Sequence, residues 1–421
     1  MIIKYFFSGI LFFAVSCRIL VSMFALSNFP IGASFIVMSQ YLCIIFAVLY
    51  CFQHPREFYI NKNTKFLLLL FLIYSIYCFV YAFTLTKVPS GHLSQVPDNP
   101  IEMIRDSLSL CIMMALACMY KKKVYIDLFA KVSVIVIILS LLLYFSGVDY
   151  TSYSYLFSLK RVEAESYAET MNIISGLTLG GYIGTAYICN LWLIDKWTKK
   201  RPVNLIIFIA ISFCLFSVLL ILGQRGPVLF TLITTILYFM VRSNKNRYKY
   251  AIALILILLF SFMWDSLLNI VSQFTPDIID RFLAISDDNG SGRFGGNSIY
   301  SDTINMILED PLFGNYFRLT SNNWSGLYPH NIILEFLVTF GLVFSIPIFM
   351  LIIKATKNTV IAINNKDPMA LFGLLFFHSF CCLLTSGTVL LDMKFWIMFA
   401  ASLSISTKRK KFETPRRYYN Y

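Results

Sequence analysis

The sequence predicts an all-α protein, a polytopic bundle of about 12 transmembrane helices, and three observations lead to this fold class. Of the 421 residues, 58% are hydrophobic and only 14% are charged. The mean hydropathy is +0.71. Soluble domains carry about 45–50% apolar and about 25% charged residues, so this composition excludes a water-soluble enzyme and a disordered chain. The apolar residues also form long uninterrupted runs, as membrane-spanning helices require.

Twelve apolar runs approach the length of about 20 residues that a spanning helix needs. Their distribution predicts that residues 1–421 form a single integral membrane domain without internal repeats. The runs lie at about 5–26, 32–52, 65–84, 101–120, 126–146, 171–194, 204–222, 227–241, 250–268, 331–353, 368–386 and 388–406.

The distribution of basic residues predicts the orientation of this bundle. Lysine and arginine outnumber the acidic residues by 35 to 22, which gives a net charge of +13. With 12 spans, 24 of the basic residues fall in loops on the side of the two termini and seven fall in loops on the other side. Because basic loops are retained in the cytoplasm, both termini are predicted to be cytoplasmic. Topology explains the positive charge, so no nucleic-acid partner is expected.

The largest polar segment, residues 266–330, is predicted to be an outer loop between spans 9 and 10. Within it, residues 298–310 carry apolar side chains at near-helical spacing, which predicts a short helix. That helix either lies on the outer membrane surface or packs on top of the bundle, and both interpretations fit the sequence.

Arg225 is the first candidate functional residue, and it lies in a tight turn between two apolar spans. Glycines on either side permit the turn, and Pro227 suits the first turn of the following helix. Such a short turn keeps the arginine at or just below the outer surface, where a cation is unfavourable unless it meets an anion. An interfacial anchor is the alternative. We favour a functional role, because anchoring needs no glycine–proline frame.

Two further candidates lie in or beside the outer loop. Arg293 is surrounded by glycines at 290–296, a frame that lets backbone N–H groups approach a ligand. An ordinary solvated loop arginine is the alternative. His330 lies directly before a span and can accept a proton near neutral pH. The alternative interpretation of His330 is a histidine that caps the helix or lies at the membrane interface.

Second-tier candidates for substrate binding are polar residues near the outer ends of spans. Arg105 has Glu102 three residues before it, so a simple ion pair on one helix face is the alternative interpretation there. No nucleotide-binding loop or metal-ligand cluster is apparent, and therefore no cofactor or metal is expected. The second-tier residues are Arg161, Arg105, Glu335 and Arg318.

Taken in order, these motifs resemble the O-antigen polymerase and ligase superfamily of bacterial envelope enzymes. The resemblance covers about residues 205–353 and rests on an arginine turn, a Pro-Leu-x-Gly segment, a His-Asn pair before a helix, and a late glycine in that helix. The matching stretches are 223–227, 292–294, 307–314, 330–335 and 340–342.

The resemblance implies a glycosyltransferase whose donor is an oligosaccharide linked to undecaprenyl pyrophosphate at the periplasmic face of the bacterial inner membrane. Arg225 and Arg293 would grip the pyrophosphate, because guanidinium groups bind phosphate in bidentate fashion. His330 would deprotonate or orient the acceptor hydroxyl. Membrane lipid and a chain-length regulator protein are candidate partners.

Three functions remain open from the sequence. An O-antigen polymerase is favoured over an O-antigen ligase, which would transfer the glycan to the lipid A core, because 40 phenylalanines and 25 tyrosines suggest an AT-rich gene. Such genes are typical of surface-polysaccharide clusters. A lipid-linked oligosaccharide flippase or transporter is the alternative from another class. Transporters often show paired repeats, and this sequence shows none.

Overall fold

The structure is a computed structural model, and all regular structure in its described residues is α-helical. The described residues are 45, 49, 61–84, 123–146, 176–197, 202–221, 225–242, 298–314, 319, 328–385, 387–389 and 392–405. The helices in this part of the chain are α1 (Lys62–Thr84), α2 (Lys123–Ser146), α3 (Gly176–Trp197), α4 (Pro202–Ile221), α5 (Arg225–Arg242), α6 (Ile299–Glu309), α7 (Ile332–Asn364), α8 (Ala370–Leu383) and α9 (Met393–Leu403).

The outward faces of these helices are apolar. Ile206 and Phe213 of α4 are 69% and 73% exposed, and Met350 and Ile353 of α7 are exposed to a similar extent. A helix on a water-soluble surface carries polar residues on such a face, so these faces suit lipid. Among the described helices, α7 is long and apolar enough to cross a membrane. The count of about 12 spans stays a prediction, and the predicted runs at 5–26, 101–120 and 250–268 lie outside the described residues.

Helices α3 and α5 run parallel with a fixed register. Arg242 at the end of α5 donates to Asp195 near the end of α3 at 2.5 Å, and these residues are 47 positions apart. Gly184 and Thr231 are also 47 positions apart (231 − 184), and a methyl group on Gly184 would lie 2.5 Å from Thr231 Oγ1. A residue of α3 is therefore level with the residue of α5 that is 47 positions later.

Helix α7 is two helices joined by a sharp bend at Gly341, which has φ +60°. We name them α7a (332–340) and α7b (342–364). The Ser345 hydroxyl donates to the Phe336 carbonyl at 2.8 Å, and the rings of Phe336 and Phe349 are 5.8 Å apart. In a straight helix these pairs would be separated by about 14 and 20 Å along the axis. The single span predicted at 331–353 is therefore wrong: α7a folds back against α7b, which is long enough alone to cross about 30 Å.

The segment 311–314 docks into this bend. Leu342 and Val343 donate their backbone N–H groups to the carbonyls of Pro311 and Leu312 at 2.9 and 3.0 Å. The bend removes the helical acceptors of these groups, and unpaired buried N–H groups are unfavourable. Gly341 has no Cβ, which would overlap the Leu312 carbonyl. The Pro-Leu-x-Gly segment and the late glycine of the sequence are thus two halves of one contact.

Helix α6 ends just before the docking segment and packs on the bundle, which is one of the two interpretations of the sequence. Ser298 caps it, and the helix buries Ile299 and Met306 in a cluster with Val338 of α7a. Ile304 and Leu308 remain 47% and 71% exposed. The helix therefore packs on the bundle and still presents an apolar face outward.

The two C-terminal helices are shorter than predicted. Helices α8 and α9 have 14 and 11 residues, about 21 and 17 Å, and neither length crosses a bilayer core of about 30 Å. The run predicted at 388–406 begins its helix only at Met393. Between α8 and α9 the structure describes residues 384, 385, 387–389 and 392, which we call the 384–392 connection, and its Thr388 and Val389 are buried inside the bundle.

Candidate functional site

Three helix N-termini meet at the 384–392 connection. Helix α5 begins at Arg225, and a methyl group on the next residue, Gly226, would lie 2.9 Å from Thr385 Oγ1. Helix α7a begins beside Leu384, and α9 begins at the end of the connection itself. A helix N-terminus carries a partial positive charge and free N–H groups, which together favour bound anions. Three helix N-termini therefore lie beside this connection, and Asn331 and Asp392 cap two of them.

Asn331 fixes the start of α7a in this place. Its Oδ1 accepts from the backbone N–H groups of Ile333 and Leu334 at 2.9 and 3.2 Å, which is an N-cap. Its Nδ2 donates to the Leu384 carbonyl at 3.1 Å. One side chain thus satisfies the helix end and ties it to the connection. This double contact explains why the predicted motif needs an asparagine after its histidine.

His330 holds an unfavourable backbone conformation at the mouth of this site. Its φ is +56°, a left-handed value that residues with a Cβ seldom adopt. Such a residue costs about 1–3 kcal/mol and persists when its neighbours enforce it, most often at functional sites. The cap of Asn331 fixes the following residue, and the Tyr328 ring lies 4.2 Å from the imidazole. The half-buried imidazole is thus held at one place.

Glu335 ties α7a to the connection a second time. It is 1% exposed, and its two carboxylate oxygens accept hydrogen bonds from the Thr388 hydroxyl and, at 2.8 Å, from the Val389 backbone N–H. A buried carboxylate needs such donors, because an unpaired one is strongly unfavourable. The contacts give Glu335 a supporting role, and its part in substrate binding stays a prediction.

The remaining predicted site residues cannot be compared with the structure. Arg161, Arg105, Arg293 and Arg318 lie outside the described residues, and so does the side chain of Arg225. What the structure does bring together is the backbone of the Arg225 turn and the His330–Asn331 pair. These two motifs are about 100 residues apart in the sequence and lie on two sides of one connection.

Sequence reasoning missed one polar cluster beside this site. Lys394 and His378 are buried, 6% and 0% exposed, between α3, α5, α8 and α9. His378 Nε2 is 3.1 Å from the Thr231 hydroxyl. The sequence placed both residues inside apolar spans. That position was itself a signal, because ionisable residues within a membrane bundle are a functional-site hypothesis by default.

A known protein family matches the part of the chain that contains Arg225 and His330. Residues 210–349, about a third of the chain, match the Wzy_C family model, described as O-antigen ligase. This match supports the resemblance of residues 210–349 to the O-antigen polymerase and ligase superfamily. The match contains Arg225, Arg293, His330 and the bend at Gly341, so the motifs that predicted the resemblance lie inside it. No curated protein and no solved structure matches the chain.

The family match indicates the function of this region at a coarse level. The family indicates a glycosyltransferase-type membrane enzyme of the O-antigen ligase or polymerase kind, connected with lipopolysaccharide biosynthesis. The apolar exterior of the described helices agrees with a membrane location. Within the described residues, no three His, Cys, Asp or Glu side chains form a group that could hold a metal ion.

Proposed function

We propose that the protein is an O-antigen polymerase that acts at the periplasmic face of the bacterial inner membrane. Its donor is a glycan on undecaprenyl pyrophosphate, and its acceptor is a lipid-linked repeat unit. The observation that carries this proposal is the convergence of three helix N-termini, with His330 among them, inside the region that matches the family. Such a convergence suits a pyrophosphate leaving group.

The proposed reaction moves one glycosidic bond. The acceptor hydroxyl oxygen attacks the anomeric carbon of the donor glycan, and His330 takes the hydroxyl proton. The bond between the anomeric carbon and the pyrophosphate oxygen breaks, and undecaprenyl pyrophosphate leaves with the electron pair. Arg225, Arg293 and the helix N-termini stabilise the negative charge that grows on this leaving group. Preorganised donors of this kind are each worth about 2.7–4 kcal/mol in a transition state.

The fixed position of His330 supports its role as the base. A general base must lie within hydrogen-bond reach of the proton that it takes, so its position matters before its pKa does. The Asn331 cap and the Tyr328 ring hold the imidazole, and Glu335 holds the connection opposite.

Two ion pairs at one end of the bundle support the proposed orientation in the membrane. Lys196 pairs with Asp127, and Arg242 pairs with Asp195, at the end of the bundle opposite the Arg225 turn. This basic end suits the cytoplasmic side. The 384–392 connection then faces the periplasm, and both termini are proposed to be cytoplasmic.

Transfer by the purified protein tests the enzyme. The protein in lipid vesicles, supplied with labelled lipid-linked repeat units, is expected to form new glycosidic bonds, and the variants Arg225→Ala and His330→Ala are expected to form almost none. The control is Lys354→Ala, an exposed lysine that contacts Asn63 far from the site. Full chain formation by both site variants would end the proposal. Movement of glycans across the vesicle membrane without bond formation would favour the flippase.

Gene deletion separates polymerase from ligase. The matching family is described as O-antigen ligase, which is the specific observation that favours the second candidate. Loss of a polymerase is expected to leave lipid A core with one repeat unit on a lipopolysaccharide gel. Loss of a ligase would leave bare core, and that result would replace the polymerase proposal.

A further inference from the structure

Lys394 carries a buried positive charge that has only neutral partners in the described part of the chain. It lies in the first turn of α9 and is 6% exposed. Its Nζ is 3.3 Å from both the Gly181 carbonyl oxygen and Thr185 Oγ1, and 5.1 Å from the centre of the Tyr182 ring. The ion pairs among the described residues involve other side chains.

This arrangement is unfavourable for the protein alone. A buried ammonium group loses its hydration, and neutral acceptors replace only part of it. The N-terminus of α9 adds a partial positive charge close to the ammonium group. Of the two described carboxylates beside the connection, Asp392 caps this same end of α9 by accepting from the Phe395 backbone at 2.8 Å, and Glu335 accepts from Thr388 and Val389. The charge therefore suits an anion that comes from outside the bundle.

The walls around Lys394 add no such anion among the described residues. His378 lies nearby, and its Nε2 is 3.1 Å from Thr231 Oγ1 and 3.7 Å from the Cys382 sulfur. Its Nδ1 is buried without a hydrogen-bond partner in the described structure. The described carboxylate that also acts electrostatically on Cys382 is Asp392, which already caps α9.

The α3–α5 register sets the height of Lys394 relative to the start of α5. Gly181, which accepts from Lys394, is level with Val228 (181 + 47 = 228). Val228 is three residues after Arg225, so the ammonium group lies near the level about 4.5 Å below the start of α5. That is less than one helical turn. The connection that joins Lys394 to Thr385 also contacts Gly226.

We propose that Lys394 is a further cation of the donor site and binds the pyrophosphate of the lipid-linked glycan from the bundle side. This inference rests on the proposed function and deepens it, because it assigns a substrate-binding residue outside the segment that matches the family. A lysine has three N–H donors. Two of them point to Gly181 and Thr185, and the third remains for a phosphate oxygen.

Binding to two carriers with the same tail tests this role. Undecaprenyl pyrophosphate and uncharged undecaprenol are titrated onto the full-length protein in lipid nanodiscs. We expect Lys394→Met and Lys394→Gln to weaken pyrophosphate binding by at least about tenfold, the loss of one charge-assisted hydrogen bond. Undecaprenol binding is expected to stay unchanged, and Lys394→Arg is expected to retain most of the affinity. The matched control is Lys354→Met.

The outcomes separate this inference from the proposed function. Glutamine keeps a donor toward Gly181 and Thr185, so it replaces methionine if the methionine variant fails to fold. Undiminished pyrophosphate binding in the folded neutral variant would overturn the inference and make Lys394 a packing residue. If the neutral Lys394 variant also transfers glycans normally while Arg225→Ala does not, the proposed function holds without a role for Lys394. If wild-type protein binds the pyrophosphate carrier through Lys394 but forms no glycosidic bond, the proposed function falls instead.

Discussion

The two ends of the α3–α5 pair differ in whether their charged side chains have counter-ions. Where the helices end, Arg242 lies 2.5 Å from the Asp195 carboxylate, and Lys196 of α3 pairs with Asp127 of α2. Where they begin, the Lys394 ammonium group has only neutral acceptors in the described structure, and it lies in the first turn of α9. Paired charges hold helices together, whereas a buried charge without a counter-ion is a structural burden. The difference indicates that the second end is built to receive an anion.

Arg225 and Arg242, the first and last residues of α5, give the sharpest contrast between the two ends. We expect Arg225→Ala to lower the rate of glycan transfer by about 100- to 1,000-fold with little change in the melting temperature, because it removes a transition-state contact. Arg242→Ala should lower the melting temperature and leave transfer per folded molecule unchanged. Transfer rates and thermal unfolding of both variants check this. Equal losses of transfer activity in Arg225→Ala and Arg242→Ala would contradict the functional difference between the two ends.

The bend in α7 is expected to give the largest stability effect. Gly341→Ala places a methyl group against the Leu312 carbonyl at a φ of +60°. We expect a loss of about 3 kcal/mol or more, because strain and a backbone clash act together. Folded yield and the unfolding temperature measure it. The neighbouring Leu342→Ala, at a 40% exposed side chain, serves as control. A stable Gly341→Ala protein would mean that the bend is not required.

The contact between Glu335 and Thr388 should give a smaller, coupled effect. Glu335→Gln replaces one acceptor oxygen with a donor that faces the Val389 N–H or the Thr388 hydroxyl. We expect a loss of about 1–3 kcal/mol. Thr388→Val should lose part of the same energy, so the double variant should be less destabilised than the sum. Thermal unfolding of the four proteins tests this. Strict additivity would show that the two side chains act independently.

Asp195→Asn should have the smallest effect on stability, and it should affect only the end where Asp195 and Arg242 are paired. Asp195 accepts from the Tyr238 hydroxyl at 3.0 Å as well as from Arg242. An asparagine keeps an acceptor for one of them, so we expect a loss of about 1 kcal/mol or less, given the partial exposure of the pair. The melting temperature is the measurement, with glycan transfer as the control. A loss of transfer would place this end in the reaction as well.

The sequence could predict the helical class, because long apolar runs form helices when they span a membrane. Residues 223–227 and 330–335 were expected to act together, and the described backbone brings them to one connection. Their joint action in one functional site stays a prediction, which the sequence favours because glycine, proline and asparagine in these stretches have specific backbone roles.

The sequence could not predict the bend or the depth of the connection. Apolar periodicity is the same in a straight helix and a bent one, so 331–353 looked like one span. Only the docking of Pro311 and Leu312 shows why Gly341 breaks the helix. Lys394 was missed because anion sites were sought in the polar loops, whereas the short helices α8 and α9 bring the connection into the bundle.

A structure of the protein with undecaprenyl pyrophosphate bound in a nanodisc tests the central claim most directly. The account predicts pyrophosphate density at the 384–392 connection, within hydrogen-bond distance of the start of α5, the start of α7a and Lys394. Density at the opposite end, near Arg242 and Lys196, or at a surface away from all three helix N-termini, would contradict it.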